Sequence, residues 1–328
     1  MKAFFHFPKI IIIMKPICYT TSYFLILFNF IVVNSISAQE EKEKPAFYTG
    51  ISPIILERNA TEINFLNNVN SFWWALKEYN PDNLSTRVAN RYRYTRVEQL
   101  LRVTYGFSKN KNWDLSGELK FAHARLDDAA RSSLFKVFSK DTVGGKSYHG
   151  LSTIGLRGRW MPFSNIPELT LQGTLQYPIA RSAEERKWLD AQRTQIGLAA
   201  TYYIQSGENI YFFFQTDWST RLKSTDNHRM THLASIGTNV VIRVWEQQFF
   251  VFPGLNYGLT LQKFSSKGSL HRINQSLFGN AGVFIQPNPR FSVMLNLQLP
   301  FILESGSQYI EYVRESFTGF TLGIRTQF

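Results

Sequence analysis

The sequence predicts an all-β fold, a transmembrane antiparallel up-and-down β-barrel of about twelve strands, with ten and fourteen as the neighbouring counts. Three observations predict it. From about residue 61 onward, apolar and polar residues alternate with period two in segments of roughly ten to fourteen residues. Short and long connections between those segments take turns. The last segment, FTGFTLGIRTQF, keeps its alternation up to Phe328, where most soluble chains end in a frayed polar tail. Composition agrees, since aromatic residues make up 15% of the chain and charged ones only 18%, below the roughly 25% usual for soluble domains.

The first 38 residues read as a secretory signal peptide. A lysine-bearing start precedes an apolar run from Tyr23 to Val33, and the small residues Ser35, Ser37 and Ala38 set up cleavage before Gln39. That run is too short for a spanning helix, which needs about 20 residues. Met14 offers a second start, because a complete leader follows it. Cys18, the sole cysteine, lies before the apolar run, which argues against a lipoprotein and leaves the mature chain without disulfide or cysteine-metal chemistry. Loss of Lys2, Lys9 and Lys15 with the leader takes the formal charge from +12 to +9. Residues 39–60, beginning with the charged stretch EEKEKPAFYTG, read as a tether to the barrel at 61–328.

Within the barrel, WDLSGELKF places Trp113, Leu115, Leu119 and Phe121 on one face and Asp114, Ser116, Glu118 and Lys120 on the other. The segments LTLQGTLQYPI (Leu169 to Ile179) and FSVMLNLQLPF (Phe291 to Phe301) repeat the pattern. The short separators are SKNKN, PFSNIPE, QSGEN, WEQQ and QPNPR; the long ones span 127–147, 180–192, 222–230, 264–271 and 304–316. A sandwich with crossovers gives no reason for such a rhythm, whereas tight turns at one barrel rim and longer loops at the other do. About eleven segments lie between Arg91 and Phe328, and an even count requires one more, assigned to TEINFLNNVNSFWWAL (Thr61 to Leu76), although its alternation is poor. Trp73, Trp74, Trp113, Trp160, Trp218 and Trp245 lie near segment ends, as interfacial girdles require.

The leader, the alternating body, the connection rhythm and the C-terminal Phe resemble the outer-membrane β-barrel proteins of Gram-negative bacteria. The segment EINFLNNV (Glu62 to Val69) is similar to barrels of that type without assigned activity. The resemblance implies an outer-membrane location, contact with membrane lipids and lipopolysaccharide, and recognition by the barrel-assembly machinery. It also implies an assembly signal in Phe320, Leu322, Ile324 and Phe328, with Thr326 less apolar than usual.

The face opposite lipid offers Arg96, Glu98, Arg102, Asp114, Glu118, Lys120, Arg157, Arg159, Arg193, Asp217, Arg243 and Arg325 as lumen-lining candidates, eight basic and four acidic. Two arrangements fit them: a ring of cations that favours anionic solutes in a narrow pore, or a packed network of paired charges with no open path. The corresponding functions are a passive channel for small, anionic solutes and a non-conducting subunit bound to another membrane protein. A lipid-modifying enzyme is a third. Catalysis has only His149 beside Ser147 and Ser152, or His228 beside Asp226, to draw on, and neither forms a known motif. No metal site is expected, because the His228 and His232 spacing suits a helix and not a strand. GGK at 144–146 lacks the context of a phosphate loop, and basic residues that alternate with apolar ones argue against nucleic acid. No cofactor is expected.

Overall fold

A computed structural model describes the chain from residue 55, apart from 80–85, 110–111, 128–132, 140–144, 223–229, 246–247, 264–269 and 306–309. The leader and most of the tether lie outside the described residues. Twelve strands follow in chain order: β1 (Thr61–Tyr79), β2 (Thr86–Gly106), β3 (Trp113–Asp127), β4 (Gly145–Trp160), β5 (Leu169–Pro178), β6 (Gln195–Ser206), β7 (Ile210–Arg221), β8 (Thr231–Trp245), β9 (Phe249–Lys263), β10 (Leu270–Asn288), β11 (Phe291–Ser305) and β12 (Ile310–Gln327). Each pairs antiparallel with its sequence neighbours, and β1 pairs with β12 to close the sheet. At the seam Thr61 N donates to Phe328 O at 3.1 Å and Phe328 N to Thr61 O at 2.8 Å. Closure leaves no sheet edge, which is what makes a sheet compatible with lipid.

Strand parity sorts the side chains as the alternation requires. Leu115, Leu119, Ile154, Leu156, Leu175, Ile196, Leu198, Leu295, Leu297 and Leu322 form an exposed apolar outer band, while Asp114, Ser116, Arg157, Arg159 and Arg325 are buried inside. Trp113, Trp160 and Trp245 sit exposed at strand ends on the rim of short turns, and Phe107 stacks on Trp113 at 5.1 Å. Trp218 lies three residues inside the end of β7; the side chains of Trp73 and Trp74 fall outside the described ones.

Several segments differ from expectation. β11 and β12 reach Ser305 and Ile310, so the expected loop 304–316 is mostly strand, and β10 runs through Asn288 into the expected QPNPR turn. Polar residues at the barrel rims still find a paired neighbour, and pairing continues the strand where alternation fades. The loop after β5 also contains helix α1 (Ala183–Trp188), too short to betray itself by periodicity. Ser182 and Glu185 cap it reciprocally, with Glu185 N donating to Ser182 Oγ at 3.0 Å and Ser182 N to Glu185 Oε2 at 3.2 Å.

Two loops at this long-loop rim go opposite ways. The α1 loop turns inward: Leu189, Ala180 and Ala191 pack against the inward Ala122 and Ala124, and Trp188 stacks on Tyr148 at 5.3 Å. The described part of the loop after β3, residues 133–139, lies on the outer side of the wall. Val137 of its 3-10 turn (Leu134–Phe138) packs on Val69 and Val97, and Val97 alternates with the inward Arg96 and Glu98. Phe135 and Phe138 of that turn are left exposed on the outside of the wall.

Candidate functional site inside the barrel

Where the short turns and termini meet, the interior is filled. Every strand contributes an inward side chain no more than 9% exposed at that end, from Glu62 and Asn64 on β1 round to Ser292 on β11 and Arg325 on β12. Two kinds of packing achieve this. On β7 to β11, Tyr211, Phe213, Val241, Phe250, Phe252, Phe284 and Met294 join Leu66 and Leu100 in an apolar cluster inside the wall. Phe213, Phe250 and Phe284 are 1%, 0% and 2% exposed, and burying each such side chain contributes about 1.5–3 kcal/mol.

On β1 to β4 and β12 the filling is charged and paired. Arg159 Nε and Nη2 grip Asp114 at 2.9 and 2.5 Å, a bidentate fork. Arg102 Nε donates to Glu118 at 2.7 Å. Across the seam Arg325 Nε donates to Glu62 at 2.6 Å, and Asn64 Nδ2 donates to the other oxygen of Glu62 at 2.6 Å. Arg157 donates to Gln172, and Arg243 donates to Tyr211 at 2.9 Å with its guanidinium 6.0 Å from the Phe250 ring centre. Residues 55–60 complete the closure. Leu56 is 2% exposed, its backbone N donates to Asp114 at 3.1 Å, and Asn59 N donates to Gly106 O at 2.9 Å. From residue 55 the expected tether is therefore folded against the barrel.

The long-loop half keeps open space. At its mouth Asp190, in left-handed conformation at φ 52°, takes two bonds from Arg221 at 2.9 and 2.7 Å and lies 3.4 Å from Arg96. Arg96 also donates to Glu98 and to Leu189 O, so the inward loop is tied to two walls. Lys120 donates to Gln176 at 3.1 Å. Arg193, expected on a strand, sits in the loop before β6 and donates to Thr231 at 2.9 Å. Burial and the neighbouring Arg221 guanidinium push its pKa below the usual arginine value. A cavity of about 220 Å³ opens here among Arg96, Glu98, Lys120, Asp190 and Arg221.

Two further cavities lie deeper. One of about 380 Å³ shares Gln195 with the mouth cavity and is lined by Thr174, Asp217, Ser219, Ser235 and Ser276. The next, about 280 Å³, shares Asp217 with it and is ringed by Asn68, Gln215, Asn239, Asn256, Asn280, Asn296 and Gln298. These amides escape a search for charged motifs. Their signal is diffuse: uncharged side chains at alternate positions of strands far apart in sequence.

His149 pairs with His123 on the outward parity, their rings stacked at 5.7 Å, and His232 contacts Thr220 at 3.0 Å. His228 and Asp226 lie outside the described residues. Among the described residues no three His, Cys, Asp or Glu side chains come together as a metal site.

No protein-family model matches the chain, and no curated protein does. Among solved structures, the COG4313 outer membrane channel from Pseudomonas putida F1 is 13% identical, with 88% of this chain and 100% of that chain covered and a TM-score of 0.56. The translocator domain of the autotransporter NalP from Neisseria meningitidis is 8% identical over 94% of this chain and 97% of that one, TM-score 0.46. A Pseudomonas aeruginosa FadL homologue is 7% identical over 83% and 90%, TM-score 0.39. At these identities the first likeness supports the fold alone, and the other two lie too far off to carry an argument.

Proposed function

We propose that this protein is an outer-membrane barrel that works as a narrow passive channel for small polar solutes, drawn in a state closed at its periplasmic end. The observation that carries the reading is the series of polar cavities, which adjoin through Gln195 and Asp217 from the mouth to the middle of the barrel. A wall built only for stability has no reason to leave such space. The resemblance of its architecture to outer-membrane barrels supports that location, and the reading puts the short turns and both termini in the periplasm.

An anion preference belongs to the mouth. Most of the deeper arginines are bound up in pairs with Asp114, Glu118 and Glu62, whereas among the described residues that line the mouth cavities Arg96, Lys120, Arg193 and Arg221 outnumber Glu98 and Asp190 by two charges. Purified barrels in a planar bilayer should give small discrete conductances biased toward anions, and Arg193→Glu should weaken that bias. Silence under all conditions would favour a second reading, a non-conducting subunit of a larger assembly. The packed periplasmic floor is the observation on its side.

Assembly is tested separately. Phe320, Leu322, Ile324 and Phe328 share the outward parity of β12, and Phe328 is 66% exposed, so the C-terminal ring is free to be read before it meets lipid. Phe328→Asp should sharply reduce the heat-modifiable, folded fraction in outer membranes. Unchanged insertion would remove the assembly-signal reading and leave the channel reading standing.

A further inference from the structure

We infer that the amide-ringed cavity in the middle of the barrel is a binding site for an uncharged, polyhydroxylated solute, a small saccharide or polyol. The inference rests on the channel reading and names what the middle of the lumen would hold, whereas the anion bias belongs to the mouth. At about 280 Å³, with the adjoining 380 Å³ above it, the space suits a small molecule.

The lining sets the chemistry. A carboxamide offers donors and an acceptor with no net charge, which is the complement of a hydroxyl group. Seven of them surround the lower cavity, and among the described residues Asp217 is the one charged residue lining either space. That carboxylate repels anions. Its Oδ2 accepts from Gln215 at 3.0 Å and Ser235 at 2.9 Å, while Oδ1 has no partner among the described residues. It is thus a fixed acceptor for a solute hydroxyl, and charged acceptors make the stronger bonds.

The ring is held in place by contacts that leave capacity over. Asn280 Nδ2 donates to Asn239 Oδ1 at 2.6 Å, reaching from β10 to β8 across the strand between them. Gly254 on β9 makes that span feasible, because a Cβ there would lie 2.1 Å from Asn239 Oδ1 and 2.6 Å from Thr238 O. Thr321 donates to Asn68 Oδ1 at 2.7 Å. The Oδ1 of Asn296 is buried and unpartnered among the described residues, a cost that a bound donor would relieve.

An apolar floor completes the complement. Phe252 and Phe278 line the same cavity, and the Phe278 ring lies 5.2 Å from Phe317, which lies 4.7 Å from Phe72. This aromatic ladder climbs the inner wall toward the mouth. A sugar ring has apolar C–H faces and a polar edge, so it can lie on phenyl rings while its hydroxyls meet the amides. An alkane leaves the amides unpaired, and a phosphate meets Asp217.

The test uses the full-length mature barrel in detergent, titrated calorimetrically with maltose, sorbitol, glucose 6-phosphate and toluene. Saturable binding of maltose or sorbitol is expected, with glucose 6-phosphate and toluene at least tenfold weaker. Asn256→Leu and Asn280→Leu, each checked for folding by heat-modifiable mobility, should each weaken binding by about three- to tenfold, the weight of one or two hydrogen bonds. Preference for glucose 6-phosphate or toluene overturns the inference, as does the absence of saturable binding to either neutral probe or indifference of both folded variants. Bilayer conductance in potassium chloride is measured on the same protein. Conductance without saccharide binding defeats this inference alone; binding without conductance defeats the channel reading and leaves the site.

Discussion

The two halves of the lumen are built from the same alternation and end up opposite in character. Among the described residues, the half at the short turns holds most of the buried charge and is closely filled, while the half under the long loops keeps cavities whose polar lining below the charged mouth is amides and hydroxyls with Asp217. Charge on the inner face of a barrel is therefore no sign of a pore. An arginine and a carboxylate opposite each other on neighbouring strands pair and fill volume, as Arg159 and Asp114 do. Asparagine and glycine fill less and leave sites unsatisfied, so they mark where a solute fits.

The largest effect comes from breaking the dry half. Asp114 receives the Arg159 fork and the Leu56 amide, and both charged partners are essentially inaccessible. Asp114→Ala strands a buried guanidinium and should cost about 3–5 kcal/mol, read as a lowered urea midpoint of the folded, heat-modifiable barrel. Adding Arg159→Ala should recover part of that loss. If the single change costs no more than an exposed pair, the half at the short turns is wet and the contrast collapses.

A smaller effect on stability, with a larger one on transport, is expected at Leu56. Its side chain is buried and its backbone is tied to the floor. Leu56→Asp should loosen the segment 55–58 and raise single-channel conductance while the wall stays folded. No change in conductance would place the barrier in the apolar cluster of Phe213, Phe250 and Phe284 instead.

Much of this contrast was hidden in the sequence, and the reason is physical. The period of two assigns Asp114, Glu118 and Arg157 to the inside and Leu115, Leu119 and Leu156 to the outside, and the rhythm of connections predicts which rim is which. Alternation says nothing about what a side chain meets across the lumen, so a ring of free cations and a set of ion pairs read alike. Glu62, the partner of Arg325 at the seam, lies in a stretch where Asn64, Asn67, Asn68 and Asn70 blur the pattern. The amide ring is assembled from β1 and β7 to β11, with nothing local to link Asn68 to Asn280. The inward turn of the α1 loop depends on where Trp188 and Leu189 find apolar company, which only the closed barrel supplies.

The smallest expected effect lies at the mouth, where the wet half begins. Asp190 joins Arg96 and Arg221, but its side chain is 40% exposed, so water already screens the bridge. Asp190→Asn should cost no more than about 1 kcal/mol of stability. Its electrical effect should be plainer, since it removes one of the two carboxylates that temper Arg96, Lys120, Arg193 and Arg221. Reversal potentials in a salt gradient should move toward stronger anion preference. Screening sets a further condition: the Debye length falls from about 10 Å at 0.1 M to about 3 Å at 1 M salt, so the shift should shrink as both solutions are raised toward molar potassium chloride. A shift that ignores salt would mean that the charge acts from a dry site, and no shift at all would mean that solutes pass elsewhere than beneath the α1 loop.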